Sequence, residues 1–447
     1  MVVTETNLAY LPEPDPTSIS EHLVALANTD GGGLALGMNE HGAPGRSLGA
    51  QEAEDLLRRA EAMCRPPVAT QWEERELHGR TAVVVRVARS SELHALEDGR
   101  VLVRSGAHNR ALGGEEIRLL AATKSAGDFE AEVVASAAWE DFEPQVIEGF
   151  LESRQKRRRA LARGEAHEVL EEMGYTRGGV PTVAGLLLFG RVPQTHFPQA
   201  SLIFVRFDAP QVHAAAGEAG YGRREEIGGP LPHLIEETWQ LLNDEMQSRA
   251  VMRGLVREER SQYPFFAVRE ALVNAVCHRD YRVRGRRIEV RLHPDRLEVV
   301  SPGGLPGFIT LDNLVEEHYS RNPRLVAGLF QWGFVEELGL GIDRMIEEMV
   351  ADGRPPPAFQ ATPYSFKVTL AAARERPPVP AWERDLNQRQ ARALNYAREH
   401  GRIASREYRE LCPEVGAETL RLDLADLVRH GLLLKVGDKK GTHYILK

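Results

Sequence analysis

Three polar residues spaced four apart stand out in the stretch YPFFAVREALVNAVCHRDY, Tyr263 to Tyr281: Glu270, Asn274 and His278. On a helix that spacing stacks a carboxylate, an amide and an imidazole into one ridge. A carboxylate, an amide and an imidazole in a row are an odd set to bury. Ala271, Leu272, Ala275 and Val276 cover the packing sides. A solvated polar ridge is the bland alternative, but small apolar flanks argue that this one faces a cavity.

A helix from Tyr263 can present that ridge only inside a larger frame. The segments TVAGLLLFG and SLIFVRF read as buried, a strand pair runs from Ile288 to Val300, and further helices extend to Val350. Upstream, a helix opening at Ser18, with Glu21 in capping-box spacing, puts Ile19, Leu23, Leu26 and Ala27 on one face. It stops at Asn28 to Gly33, before the strand Leu34 to Met38 and the strand-like Thr81 to Val87 and Val101 to Gly106. Charged, helical sequence follows, with QKRRR at Gln155 to Arg159 reading as a solvated helix face. The tail has helices at Asn387 to Glu399, Ser405 to Leu411 and Ala417 to His430, then a hairpin, LLLKV and THYIL around GDKKG. That is the winged-helix order. The expected organisation is a multidomain α/β (α+β) chain: a domain at 1–122, a connector at 123–168, a domain at 169–375, a linker at 376–382 and a winged helix-turn-helix at 383–447.

Charge and composition exclude several functions. The net charge of −9, from 65 acidic and 56 basic residues, argues against coating nucleic acid or membrane over the whole surface. From Pro380 onward nine arginines and four lysines face ten acids, a local +3 on a body of −12. A basic module on an acidic body suits local phosphate contact. Only seven of the 56 basic residues are lysines, and Lys124 alone precedes a Ser or Thr, with Thr123 before it. No P-loop is readable, and with it no motor ATPase. Cys64, Cys277 and Cys412 lie far apart without ligand spacing, which argues against disulfide frameworks and zinc and for a cytoplasmic location. No signal peptide, membrane span or membrane partner is expected.

The ridge resembles the N-box of the GHKL superfamily (gyrase, histidine kinases, mismatch-repair ATPases). REALVNAVCHRDY, RLEVVSPGGLPGFIT and RNPRLVAGLFQWGFVEELGLGIDRM together resemble more closely its RecG-like C-terminal, Schlafen-associated subfamily, over about Thr182 to Leu370. The resemblance implies a GHKL-type α/β sandwich binding ATP and Mg2+. Asn274 would be the Mg2+ ligand, and Glu270 the water-orienting carboxylate if ATP is hydrolysed. His278 and Arg279 would lie near phosphates or lid, Gly303 and Gly304 beside the adenine, and Gly339 and Gly341 in the glycine-rich lid. One amide oxygen suffices for Mg2+ when phosphates and waters complete its shell. Ser301 stands where superfamily members carry the acid that reads adenine, so hydrolysis is not an expectation and the chain is at most a weak ATPase.

The N-terminal segment resembles the Schlafen-type Alba-like domain, through His22 to Gly42 and Val101 to Leu112. Family nucleases carry a carboxylate pair before the first helix, whereas ETNLAYLP keeps Glu5 but has Tyr10 and Pro12 at the other positions. A binding module is therefore expected, with Arg104 and Arg110 on a glycine turn as phosphate contacts. In the tail Thr419 and Arg421 of the third helix and Lys439 and Lys440 of the wing would meet DNA, and Leu422 replaces an arginine that regulators of this type often carry. The whole resembles Schlafen-associated transcriptional regulators, which implies a homodimer on double-stranded DNA. The alternatives are an ATP-dependent nuclease or nucleic-acid-processing protein in phage defence, and a nucleotide-sensing scaffold for protein contacts.

Overall fold

The computed structural model describes residues 8–46, 48–125, 127–158, 165–209, 221–246, 249–253, 256–260, 262–336, 341–372, 386–437 and 442–446. The chain is a mixed α/β multidomain protein that divides into two units: Met1–Leu186 with Leu305–Gln331, and Leu187–Gly304 with Trp332–Lys447.

In the first unit a four-stranded sheet runs in the order Leu8–Leu11, Gly32–Leu36, Arg80–Val87, Thr70–Leu77, its first pair parallel and the others antiparallel. Period-two alternation sends Val83, Val85 and Val87 to one face and Ala82 and Val84 to the other. Helices Pro16–Asn28 and Ala50–Ala62 cover the first face. The first helix begins earlier than Ser18: Asp15 is its cap, accepting from the Thr17 and Ser18 amides, with Pro16 in the first turn. Leu305–Gln331, expected from the sequence within 169–375, packs in this unit. Its Phe308, Ile309 and Tyr319 share a core with Val101, Val103, Leu112 and Leu120. Contiguous sequence carries no mark of that exchange.

The second unit is built on a six-stranded sheet, in the order Arg223–Ile227, Leu202–Arg206, Ile288–Leu292, Arg296–Pro302, Ser365–Ala371, Ala358–Thr362. Leu202–Arg206 and Ile288–Leu292 are parallel, as Leu202 opposite Ile288 and Arg206 opposite Leu292 show; the remaining pairs are antiparallel. The ridge helix Phe265–His278 lies on this sheet and packs with helices Leu231–Glu245 and Gly341–Ala351.

The last part of this unit has its own core. Helices Gln388–His400, Ser405–Leu411 and Ala417–Arg429 bury Leu394, Tyr408, Leu420, Leu424 and Leu427. They accompany a three-stranded sheet with His443–Leu446 between Ile403–Ala404 and Leu433–Val436.

Candidate functional site

The ridge helix is apolar nearly all round, with Ala267, Val268, Ala271, Leu272, Ala275 and Val276 buried, and it leaves the helical conformation at Arg279. That makes its polar face conspicuous. Glu270 is only 7% exposed, while Asn274 and His278 are half-buried. The Asn274 amide has no hydrogen-bond partner among the described residues. A half-buried amide left open on one ridge with a buried carboxylate suits a ligand that supplies the missing bonds. Burial pushes the Glu270 carboxyl above its ordinary range, and the neighbouring Arg269 guanidinium, 3.4 Å away, only partly opposes that.

Glu270 faces Gly341, the first residue of helix Gly341–Ala351. A Cβ on Gly341 would overlap the Glu270 carboxylate. One residue earlier, Arg269 donates to the carbonyls of Gly333 (2.8 Å) and Phe334 (2.9 Å). Adjacent residues of the ridge helix thus meet two separate stretches of chain: Arg269 bonds Gly333 and Phe334, and Glu270 lies against Gly341. The charges suit their sites: a cation meets main-chain carbonyls, and an anion meets the start of a helix. Gly339 lies outside the described residues. Arg344 on the following helix sits over the Phe266 ring, 3.9 Å from its centroid.

The second glycine pair meets the other end of the ridge. Gly303 has φ +104°, and a Cβ there would lie 2.7 Å from Asp280 Cβ. Its amide donates to the Tyr364 carbonyl (2.9 Å). A Cβ on Gly304 would lie 2.7 Å from the Thr362 carbonyl oxygen. These glycines are therefore required by close protein packing, independently of any base. Ser301 is buried and its hydroxyl donates to the Ala275 carbonyl (2.8 Å), so only its lone pairs are left for a ligand. Ser301 and Gly341 are brought to the ridge helix, and Gly303 to Asp280 just after it.

Arg279 follows the last residue of the ridge helix. It is fully buried, and its guanidinium donates to the carbonyls of Asp280 (2.7 Å), Val283 (3.1 Å) and Arg286 (2.7 Å) and lies over Tyr281. It clamps the loop after the ridge helix. Arg269 is not legible in the sequence, because its partners are main-chain carbonyls more than sixty residues away.

In the first unit the Asn-Thr pair at the end of the first helix is structural. Asn28 bonds the carbonyls of His94 and Leu102 and the His94 amide, and Thr29 Oγ1 accepts from the Arg104 amide. The Arg104 guanidinium meets the Asn109 side-chain oxygen at 2.9 Å and has no carboxylate partner among the described residues. Burial lowers its pKa. Arg110 differs: it pairs with Glu116 (2.9 Å) and with Glu317 (2.7 Å), which is itself 8% exposed, and lies over Phe308. Both carboxylates compete with any phosphate for its guanidinium.

In the tail Thr419 is exposed, and the exposed Arg421 pairs with Glu418 at 2.6 Å. Leu422 beside them is 56% exposed. Lys439 and Lys440 lie outside the described residues, as does Glu5. No described helix is long and apolar enough to cross a membrane.

The family described as "Schlafen, AlbA_2" matches residues 6–113, and the family described as "Putative ATP-dependent DNA helicase recG C-terminal" matches residues 285–370. Both segments occur in the order expected from the sequence. Among solved structures, the DIP2311 protein from Corynebacterium diphtheriae is 24% identical over 99% of this chain and 92% of that chain, with a TM-score of 0.49. The N-terminal domain of a RecG-related protein from Nitrosomonas europaea is 24% identical over 20% of this chain and 67% of that one, with a TM-score of 0.15. No curated protein matches the chain.

Proposed function

We propose that this chain, carrying a Schlafen AlbA_2 segment ahead of a RecG-type C-terminal segment, is a DNA-binding regulator that takes Mg2+–ATP on its ridge helix. The observation that carries the reading is the Asn274 amide, open on the same face as the buried Glu270 and flanked by the Gly341 and Gly303 approaches. Asn274 would hold the Mg2+ through its amide oxygen, and a bound nucleotide would supply the phosphate oxygens of the metal's shell. Ser301, already donating to Ala275, would accept from an exocyclic amine at most. Regulation without turnover is therefore the favoured use of the site. The order of helices and hairpin from Gln388 to Leu446 supports a winged helix as the DNA-reading end, and Arg104 supports a second phosphate contact in the first unit. A homodimer would then set the spacing of two half-sites.

Calorimetry with Mg2+–ATP on wild type and Asn274→Ala tests the nucleotide half: heat in the wild type that disappears in the variant is expected, and equal heats remove the reading. Fluorescence anisotropy with fragments of the chain's own promoter at rising salt tests the DNA half. Absent or salt-insensitive binding removes it.

A second reading, a nucleotide-sensing scaffold for protein contacts, is favoured by the neutralised Arg421 and the exposed Leu422 on one helix. Full-length Arg421→Ala that binds DNA as the wild type does would shift the tail to that role.

A further inference from the structure

Helix Gly341–Ala351 touches both the ridge helix and the C-terminal module of the second unit. Its first residue lies against Glu270, and Met345, Ile346 and Met349 are buried as the helix packs on Phe265–His278. Its later residues point elsewhere. Glu347 Oε1 lies 3.5 Å from His443 Nε2, and a Cβ on Gly401 would lie 3.8 Å from Val350 Cγ1. His443 is 7% exposed and belongs to the middle strand of the C-terminal sheet, where it lies opposite both Ala404 and Val436. Arg269 fixes the start of the segment that leads into this helix, through Gly333 and Phe334.

A helix is stiff along its axis, so an event at one end is carried to contacts one or two turns away. We infer that helix Gly341–Ala351 transmits ligand occupancy on the ridge to the C-terminal module, with the Glu347–His443 pair as the joint. A ligand that alters the Glu270–Gly341 contact shifts the helix, and the shift reaches the C-terminal sheet through the imidazole at its centre. The identity of the ligand rests on the nucleotide reading above; the joint does not.

Hydrogen–deuterium exchange on the full chain tests it, with the non-hydrolysable analogue adenylyl imidodiphosphate and Mg2+ as the probe. In the wild type the analogue changes exchange in Ile403–Ala404 and His443–Leu446 by about threefold. Glu347→Ala binds the analogue with unchanged affinity by calorimetry, yet those strands no longer respond. A wild-type response retained in Glu347→Ala, or binding without any response in the wild type, overturns the inference. If the wild type binds no analogue, the nucleotide reading falls and a second arm decides the joint alone. Arg269→Ala, which frees the base of the segment without ligand, raises exchange in the C-terminal strands in an otherwise wild-type chain and leaves them unchanged on a Glu347→Ala background. Equal exchange on both backgrounds overturns the joint.

Discussion

Gly341 has no side chain because the Glu270 carboxylate occupies the space one would need. The carboxylate is the free end of a flexible side chain, so an alanine at 341 displaces Glu270 before it displaces backbone. Gly341→Ala should therefore destabilise the chain by about 1 kcal/mol, since a buried carboxylate is pushed out of its place. On a Glu270→Ala background the same substitution meets open space and gains helix propensity, so its sign reverses to a stabilisation of a few tenths of a kcal/mol. Urea unfolding of the two single variants and the double variant reads the coupling. Additive effects would show that the two residues are not in contact.

The ridge itself was legible, because a period of four among small apolar residues survives in any fold that buries a helix. So were the tail helices, where Leu420, Leu424 and Leu427 mark the buried face. What escaped is what depends on distant partners. Asp15 caps the first helix and accepts from the Ser18 hydroxyl at 2.5 Å, an arrangement that the Ser18–Glu21 capping-box spacing does not reveal. Arg110 meets Glu317, more than two hundred residues away, and Arg279 donates to the carbonyls of its own loop. An arginine reads the same in sequence whether it is neutralised, walled in or open.

Glu130 gives a pH signature to the first unit. It is 3% exposed and accepts from the amides of Arg324 (2.7 Å) and Leu325 (3.1 Å), at the start of helix Pro323–Trp332. Burial pushes its carboxyl up to about 7 from an ordinary 4.5, despite those amides. The unfolded chain loses this proton first, so the native state holds more protons between pH 4.5 and 7, and stability falls as pH rises through that window. The loss should be of order 3 kcal/mol by the usual conversion of pKa shift to free energy. Glu130→Gln should remove that slope while retaining an oxygen for one of the two amides. Thermal unfolding from pH 4 to 8 compares the two, and parallel profiles would refute the assignment.

Arg104 and Arg110 sit on the same hairpin with opposite electrostatic standing. Arg104 has no carboxylate partner among the described residues, whereas Arg110 has two. Arg104→Ala should weaken DNA binding by about tenfold and lower the salt slope by about one, as the loss of one phosphate contact does. Arg110→Ala should leave the salt slope unchanged and lower the melting temperature instead, because Glu317 would be left buried without its guanidinium. A larger binding loss in Arg110→Ala than in Arg104→Ala would reverse the assignment.

Asp423 holds the C-terminal module together. Its carboxylate accepts from Asn387 Nδ2 (3.0 Å), Arg389 Nε (2.7 Å) and the Tyr408 hydroxyl (3.3 Å), so it ties the third helix of the module to the starts and sides of the other two. Asn387 is itself the cap of helix Gln388–His400, exchanging bonds with Gln390. Losing the carboxylate leaves a half-exposed arginine, a buried hydroxyl and a cap amide without their acceptor. Asp423→Ala should cost about 2–3 kcal/mol, short of a fully buried pair because Arg389 keeps access to water. Asp423→Asn should recover about half of that, since one oxygen still accepts. The discriminating measurement is DNA binding at a temperature where Asp423→Asn is fully folded. Wild-type affinity there marks Asp423 as a structural tie, whereas a loss of affinity in a folded variant would move it into the DNA-reading surface beside Arg421.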